Sequence, residues 1–158
     1  MCLEGFQSGL SWRTILAKRE SFRAAFHGFD FVRVARYDDS DVQRLLADAG
    51  IVRHRGKIEA TINNARRAIE LVEKEASLAA FIWRFEPEPR DLEEPQSVST
   101  SPTSVALSKE LKRRGWRFVG PTTVYAFMQA MGLVNDHAVD CAVRSDAMTA
   151  HASFQRPA

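Results

Sequence analysis

Apolar residues recur along the chain at the spacing of an α-helix. Successive steps of four, three, four and three residues join the apolar positions Ile58, Ile62, Ala65, Ile69 and Val72. This spacing predicts one helix of about five turns with a single apolar face. The chain has no sustained alternation of β-branched and polar residues, which a half-buried strand would show.

Shorter apolar stripes predict further helices on both sides of this segment. One stripe consists of Val124, Phe127, Met128 and Met131. The other helices are expected within residues 12–19, 21–27, 31–36, 40–48, 77–85 and 103–114. We therefore predict an all-α fold, a compact bundle of short helices.

The 158 residues are expected to form one domain, since domains commonly hold about 100–200 residues. We assign residues 1–143 to this domain. Residues 86–103 hold four of the six prolines and a Ser/Thr tract, which is typical of a surface connection within a domain. Residues 144–158 show no apolar periodicity and are expected to fray.

The composition, with 45% hydrophobic and 27% charged residues, is that of an ordinary globular protein. No apolar run approaches the ~20 residues of a membrane-spanning helix, and the first residues lack the regions of a signal peptide. We therefore expect a cytoplasmic protein without membrane contact. Cys2 and Cys141 are the only cysteines, which excludes a disulfide framework and leaves metal or redox chemistry.

Charge is informative in its distribution, because the net charge is only +2. Residues 53–67, including Lys57, and residues 109–117 each hold five basic residues against one acidic residue. Residues 86–94 hold five acidic residues against one basic residue. A basic run is commonly a solvated helix face, and the alternative is a surface that contacts the phosphates of DNA.

The run from Trp116 to Thr123 joins a basic segment to an apolar one. Gly120 allows close approach of the backbone, and Pro121 suits the first turn of a helix. The N–H groups that follow lack intrahelical partners and form a site for an anion such as a DNA phosphate. An ordinary tight turn between helices is the alternative, and the basic segment before it favours the phosphate site.

Two further segments carry candidate ligands. His137 and Cys141 lie four residues apart, so on a helix both can face one metal, and imidazole with thiolate is a zinc-type ligand set. A capped helix start with a buried cysteine explains the same residues. Glu4 and Trp12 lie in one short run and could line a ligand pocket. Taken singly, Glu4 is typical of a solvated acid and Trp12 of a core residue.

Six runs carry a stronger signal in combination than any of them alone. They are Leu-Glu-Gly-Phe-Gln-Ser-Gly-Leu-Ser-Trp at 3–12, the segments 48–58 and 106–109, Phe-Val-Gly-Pro-Thr-Thr at 118–123, and the segments 127–130 and 132–137. In this order they resemble the DNA-3-methyladenine glycosylase I family, a branch of the helix-hairpin-helix DNA glycosylases. The resemblance extends from Leu3 to about Cys141.

The resemblance implies a pocket that receives an alkylated adenine flipped out of double-stranded DNA. By position, Glu4 matches the family's catalytic and base-recognition carboxylate, and Trp12 matches the aromatic residue that stacks on the base. Gly9 and Leu10 are implied to contact the DNA. The hairpin implied to hold the DNA backbone consists of Val119, Gly120, Pro121, Thr122 and Thr123. Related glycosylases carry an aspartate after the hairpin helix, and Asn135 stands at about that place.

The resemblance also implies a structural zinc. His137 and Cys141 match two of the family's four zinc ligands. The other two, a cysteine and a histidine, belong to a family segment of roughly thirty residues before the Leu-Glu-Gly motif, together with the tyrosines of the pocket. This chain begins almost at that motif, and Cys2 stands at a non-ligand position, so we expect an incomplete zinc site.

We therefore predict a DNA repair enzyme that acts as a monomer in base excision repair and hydrolyses the N-glycosidic bond of 3-methyladenine in alkylated DNA. No lysine is placed to indicate lyase chemistry through a Schiff base. Two alternatives follow from the segment that the chain lacks. One is a non-catalytic helix-hairpin-helix DNA-binding domain, and the other is a partly folded fragment without a function of its own.

Overall fold

The computed structural model describes residues 1–92 and 94–157, and this part of the chain contains helices and no strand. Its α-helices are α1 (Cys2–Gln7), α2 (Trp12–Ala17), α3 (Arg19–Ala25), α4 (Phe31–Val34), α5 (Asp39–Ala47), α6 (Arg55–Glu75), α7 (Leu78–Trp83), α8 (Pro102–Arg113), α9 (Pro121–Ala130) and α10 (Arg144–Ser153). The all-α prediction is confirmed. Among these residues no helix is both long and apolar enough to cross a membrane.

Helix α6 contains the predicted five-turn stripe. His54 precedes the helix, and its Nδ1 atom accepts a hydrogen bond from the backbone N–H of Lys57 at 3.2 Å, which satisfies one free donor of the first turn. Ile69 and Val72, which the stripe predicts as core residues, are only half-buried. The apolar residues that α6 buries are Ile58, Ala60, Ile62, Ala65, Ala68 and Leu71.

The buried face of α6 changes because the helix serves two hydrophobic clusters. Its first half packs with helices α1 to α5 in a cluster that includes Phe6, Phe22 and Phe26. Its second half contributes Ala68 and Leu71 to a cluster formed with α7, α8 and α9. An evenly spaced stripe assumes one partner along the whole helix. The packing partner of α6 changes half-way along the helix, so the last two stripe positions, Ile69 and Val72, are only half-buried.

Helix α1 lies where the two clusters meet. The ring centroid of the buried Phe6 is 4.6 Å from that of Phe22, and α1 also packs against α2, α6 and α9. A Cβ atom at Gly5 would lie 3.5 Å from the carbonyl oxygen of Phe118, so the backbone of α1 runs close to the turn before α9. This junction brings the N-terminal run beside the predicted hairpin.

Helices α8 and α9 form the predicted helix-hairpin-helix arm. Ser101 and Ser104 cap the start of α8 reciprocally, each side chain accepting a backbone N–H of the other residue. Met131, the last residue of the predicted stripe, is 53% exposed because α9 ends at Ala130. The buried residues of α9 are Val124, Tyr125, Phe127 and Met128.

The described residues of the 86–103 connection are half-buried or exposed, and the end of the chain returns to Glu86. Helix α10 lies within the segment that we expect to fray, and none of its residues is buried. The Phe154 ring stacks on Trp83 with centroids 4.5 Å apart, and Arg156 donates a hydrogen bond to Glu86 at 2.6 Å. A helix held by such end contacts has no apolar stripe, so the pattern did not predict it. Fraying of this segment stays a prediction.

Candidate functional site

A cleft of about 640 Å³ opens between α1, α9 and the loop that follows α9. It brings together Glu4 and Trp12, the two residues of the N-terminal run singled out from the sequence. The cleft is lined by Glu4, Gln7, Trp12, Gln96, Ala126, Gln129, Ala130, Val134, Asp136 and His137. No role is predicted from the sequence for the polar residues Gln7, Gln96, Gln129 and Asp136, because they lie far apart along the chain.

Glu4 is a buried carboxylate in the cleft wall. The residue is only 8% exposed, so the alternative of a solvated acid is wrong. Its Oε2 atom lies 2.7 Å from the α-amino group of Met1 and accepts no well-oriented hydrogen bond from the described residues. Burial of a carboxylate is costly unless a cation or a donor compensates it. The Met1 ammonium supplies one such cation, and because Glu4 lines the cleft, its carboxylate can also accept hydrogen bonds from the N–H donors of a ligand.

Trp12 is the first residue of α2. The Ser11 hydroxyl oxygen accepts a hydrogen bond from the backbone N–H of Thr14 at 3.2 Å, which caps α2 and fixes its first turn. Trp12 is 40% exposed, so the alternative of a core tryptophan is wrong. An indole ring at the edge of a cleft offers its face to a planar or cationic ligand.

A buried lysine supports the loop between α1 and α2. The Lys57 Nζ atom donates hydrogen bonds to the carbonyl oxygens of Phe6 at 2.9 Å and Ser8 at 2.5 Å, and burial lowers the pKa of Lys57. These bonds hold the loop in which Gly9 has a φ of +78° and Leu10 is exposed. Sequence analysis counted Lys57 among the bases available to DNA. That interpretation is wrong, because the ammonium group lies inside the protein.

The turn before α9 exposes the backbone that the sequence predicts as an anion site. The Ser108 hydroxyl donates a hydrogen bond to the carbonyl oxygen of Val119 at 2.6 Å, and both residues are buried. Gly120 precedes α9, and a Cβ atom at Gly120 would meet nothing within 4 Å. No side chain in the described part of the chain caps α9. The N–H groups of Thr122 and Thr123 are therefore open to an anion.

Two asparagines of α6 hold this turn from behind, and sequence analysis missed both. Asn64 Nδ2 donates to the carbonyl oxygen of Arg117, and the Arg117 N–H donates to Asn64 Oδ1, each at 2.8 Å. Asn63 Nδ2 donates to the carbonyl oxygen of Gly115 at 2.8 Å. These bonds fix a turn in which Phe118 has a φ of +54°, a conformation that side-chain-bearing residues rarely adopt. The turn is thus rigid before any ligand binds.

Much of the predicted basic charge near the hairpin is neutralised within the protein. Arg113 and Arg114 each pair with Glu110 at 2.6 Å, and Arg114 also reaches Glu75 at 2.5 Å. Hydrogen bonds from Arg113 and Arg114 lower the pKa of Glu110 to about 2. Within the described residues, ion pairs are absent at Lys109, Lys112 and Arg117. These three cations define a narrower basic surface than the sequence indicates.

The structure brings His137 and Cys141 together, although not on a helix. The segment forms turns between α9 and α10, so the alternative of a capped helix start is wrong. The Sγ atom of Cys141 lies 3.6 Å from His137 Nδ1. Ligand atoms on one tetrahedral zinc, with bond lengths of about 2.3 Å to sulfur and 2.1 Å to nitrogen, lie roughly this far apart.

The pair fits one edge of a tetrahedral metal site. The described residues contain no group of three or more His, Cys, Asp or Glu side chains able to hold a metal ion. Cys2 belongs to α1 and is not part of the pair. His137 and Cys141 could therefore supply two ligands of four.

A helical fold whose cleft combines a buried carboxylate with an exposed indole defines a class of all-α proteins suited to bind a planar ligand. Within that class, the chain belongs to the methyladenine glycosylase family, whose model matches residues 1–145. The family predicted from the six sequence runs is confirmed.

Similar proteins agree with this assignment. The chain is 51% identical over 145 residues to DNA-3-methyladenine glycosylase 1 of Escherichia coli (strain K12), covering 89% of this chain and 78% of that protein. A crystal structure of 3-methyladenine DNA glycosylase I superposes with a TM-score of 0.83 at 49% identity, covering 89% of this chain and 80% of that one. A structure describing 3-methyladenine recognition by the Staphylococcus aureus enzyme gives a TM-score of 0.85 at 36% identity, with coverage of 90% and 78%.

Proposed function

We propose that this chain is a DNA repair enzyme that hydrolyses the N-glycosidic bond of 3-methyladenine in alkylated double-stranded DNA. The observation that carries the proposal is the cleft that joins the buried Glu4 carboxylate to the exposed Trp12 indole. The relative that is 51% identical to this chain bears the name of that activity.

The charge of the damaged base explains why this cleft selects it. N3-methyladenine in DNA is cationic, whereas adenine is neutral. The face of Trp12 offers a cation–π contact of up to ~2 kcal/mol in a desolvated site. The Glu4 carboxylate accepts a hydrogen bond from the exocyclic amine and balances the positive charge. An undamaged adenine is neutral, so it gains neither the cation–π contact with Trp12 nor the charge balance with Glu4.

Bond cleavage needs little further chemistry from the protein. The electron pair of the glycosidic bond leaves with the base and neutralises it, while positive charge develops on the sugar. Water then adds to C1′ and releases one proton to solvent. The Glu4 carboxylate stabilises positive charge during this transfer. No lysine of the described residues lines the cleft. We therefore assign water as the nucleophile and expect no lyase step.

The hairpin and the α1–α2 loop would hold the DNA. The open N–H groups of Thr122 and Thr123 suit a backbone phosphate, with Lys109, Lys112 and Arg117 as cations nearby in sequence. Leu10 is 42% exposed in the loop beside the cleft. An exposed apolar side chain there suits the gap that a flipped base leaves in the stack.

The test is base release from DNA treated with a methylating agent, by the parent protein and by Glu4→Gln. We expect at least a tenfold loss of 3-methyladenine release, since one transition-state contact is commonly worth that much. Binding to undamaged duplex should stay unchanged. Glu20→Gln is the matched control, because Glu20 is 74% exposed on α3 and lies outside the cleft. Release by Glu4→Gln at the parent's rate would contradict the role of Glu4.

A non-catalytic DNA-binding domain is the second candidate function. The hairpin favours it, because the turn is fixed by Ser108, Asn63 and Asn64 and does not depend on the cleft. Both functions predict duplex binding that weakens steeply with salt. Only the glycosylase releases base, so duplex binding by a parent protein that releases no 3-methyladenine would favour the second candidate.

A further inference from the structure

The cleft contains a second carboxylate, on the wall formed by α9 and the loop after it. The Asp136 Oδ2 atom accepts a hydrogen bond from Gln129 Nε2 at 2.5 Å. The Asp136 Oδ1 atom accepts a hydrogen bond from the backbone N–H of Gln96 at 2.7 Å. All three residues line the cleft, so Asp136 organises one entire wall.

The bond to Asp136 fixes the orientation of the Gln129 amide. An ionised carboxylate only accepts hydrogen bonds, so the group that Gln129 turns towards Asp136 must be its NH₂. The carbonyl oxygen Oε1 then points away from Asp136. No group in the described part of the chain donates to this oxygen. Because Gln129 lines the cleft, this oxygen is available to accept a hydrogen bond from a ligand there.

The same carboxylate holds a strained segment of the surface connection. Gln96 has a φ of +62°, a backbone conformation that costs free energy at residues other than glycine and persists where surrounding contacts impose it. Gln96 is the third residue of a β-turn that the hydrogen bond from the Ser97 N–H to the Glu94 carbonyl oxygen closes at 3.1 Å. The hydrogen bond from the Gln96 N–H to Asp136 ties this turn to the wall of the cleft.

We propose that Asp136 sets the preference of the cleft for a 6-amino purine over a 6-oxo purine, by orienting Gln129 as an acceptor. This inference rests on the proposed function. The 6-amino group of 3-methyladenine has two N–H donors, which can serve two acceptors, Glu4 and Gln129 Oε1. A 6-oxo base such as 3-methylguanine would place its own acceptor, the 6-oxygen, against the acceptors of Glu4 and Gln129. These polar groups would then be buried without a donor.

The experiment compares Asp136→Asn with Asp140→Asn. The control Asp140→Asn removes the same charge at an exposed position that does not line the cleft. An asparagine at 136 can donate or accept, which frees Gln129 to turn either way. The measurements are release of 3-methyladenine and 3-methylguanine from alkylated duplex, and the affinities of the two free bases. We expect the adenine preference to fall at least about tenfold in Asp136→Asn and to persist in Asp140→Asn.

Gln129→Met is a second variant, since methionine has similar length and volume but no carbonyl oxygen. It should lose the same preference, and it decides the proposal if Asp136→Asn does not fold. An unchanged ratio of the two bases in the folded variants overturns the proposal, as does a parent protein that binds both free bases equally or neither. A parent protein that prefers free 3-methyladenine but releases no base contradicts only the proposed function.

Discussion

The hairpin arm, residues 102–130, and the loop of residues 131–143 differ in how the protein holds them. The turn of the arm is fixed by long-range hydrogen bonds, such as those that join Asn64 to Arg117 at 2.8 Å. The loop enters the core at Leu133 and Val134 and bonds to Gln96 through Asp136, but its other hydrogen bonds join neighbours in sequence. Arg144 donates a hydrogen bond to the carbonyl oxygen of His137, and Asn135 donates to that of Arg144 at 3.1 Å.

How recognisable a motif is in the sequence and how firmly the fold holds that motif are separate properties. The hairpin motif at 118–123 and the segment 132–137 both belong to the runs that carry the family resemblance. The hairpin arm is part of a hydrophobic core and is rigid without a ligand. In the loop, His137 is exposed and meets Cys141 through local turns. Truncations should therefore have large effects in the buried part of the arm and small effects at the exposed residues of the loop.

The largest effect should come from Leu107→Ala in α8. Leu107 is fully buried, and truncation of a buried leucine costs about 2–5 kcal/mol in the free energy of unfolding. Val139→Ala in the loop is the counterpart, since Val139 is 79% exposed and exposed substitutions commonly change stability by less than about 0.5 kcal/mol. Chemical denaturation measures both. Equal losses would show that the loop is as integral to the core as the arm.

Local sequence patterns predicted the structural features that are determined by residues close together in the sequence. The helical periodicity located α6, and Gly120 with Pro121 located the start of α9, because each of these features is determined within a few residues. The run at 3–12 supplied Glu4 and Trp12 through family resemblance. The cleft that unites these two residues with α9 depends on packing between distant helices.

Residues whose role depends on distant partners could not be predicted. Lys57 bonds to carbonyl oxygens 49 and 51 residues away, and Asn64 bonds to Arg117 across 53 residues. Asp136 meets Gln96 across 40 residues. A lysine or an asparagine on a helix is ordinarily solvated, so nothing in the local sequence distinguishes these residues from surface ones.

The second largest effect should come from Asn64→Ala. The change removes the two hydrogen bonds to the N–H and the carbonyl oxygen of Arg117, and an ordinary hydrogen bond contributes about 0.5–1.5 kcal/mol net. Affinity for undamaged duplex should fall as the turn loosens. Asn135→Ala in the loop loses only local bonds and should leave duplex affinity unchanged. Anisotropy titrations test this, and equal duplex affinities of the two variants would contradict it.

A smaller effect should appear in the acid stability of the arm. The pKa of Glu110 is lowered from 4.5 to about 2 by Arg113 and Arg114. Because the pKa of Glu110 is lowered in the folded state, its ion pairs with Arg113 and Arg114 stabilise the fold above pH 4.5. This stabilisation is lost as the pH falls towards 2. Glu110→Gln should therefore flatten the decline in stability across this range, by a modest amount because the pair is near the surface. Glu73→Gln, at an exposed position of α6, is the control and should decline like the parent.

The smallest effect should follow removal of zinc. A structural zinc stabilises a fold when four protein ligands surround it, because the metal then ties distant segments together. His137 and Cys141 lie four residues apart in one loop, so a metal on this pair alone ties together almost nothing. We expect zinc well below one equivalent by elemental analysis, and a melting temperature that a chelator or His137→Ala does not change. Stoichiometric zinc whose removal lowers the melting temperature would show that other residues complete the site, and that the loop then has support comparable to that of the hairpin arm.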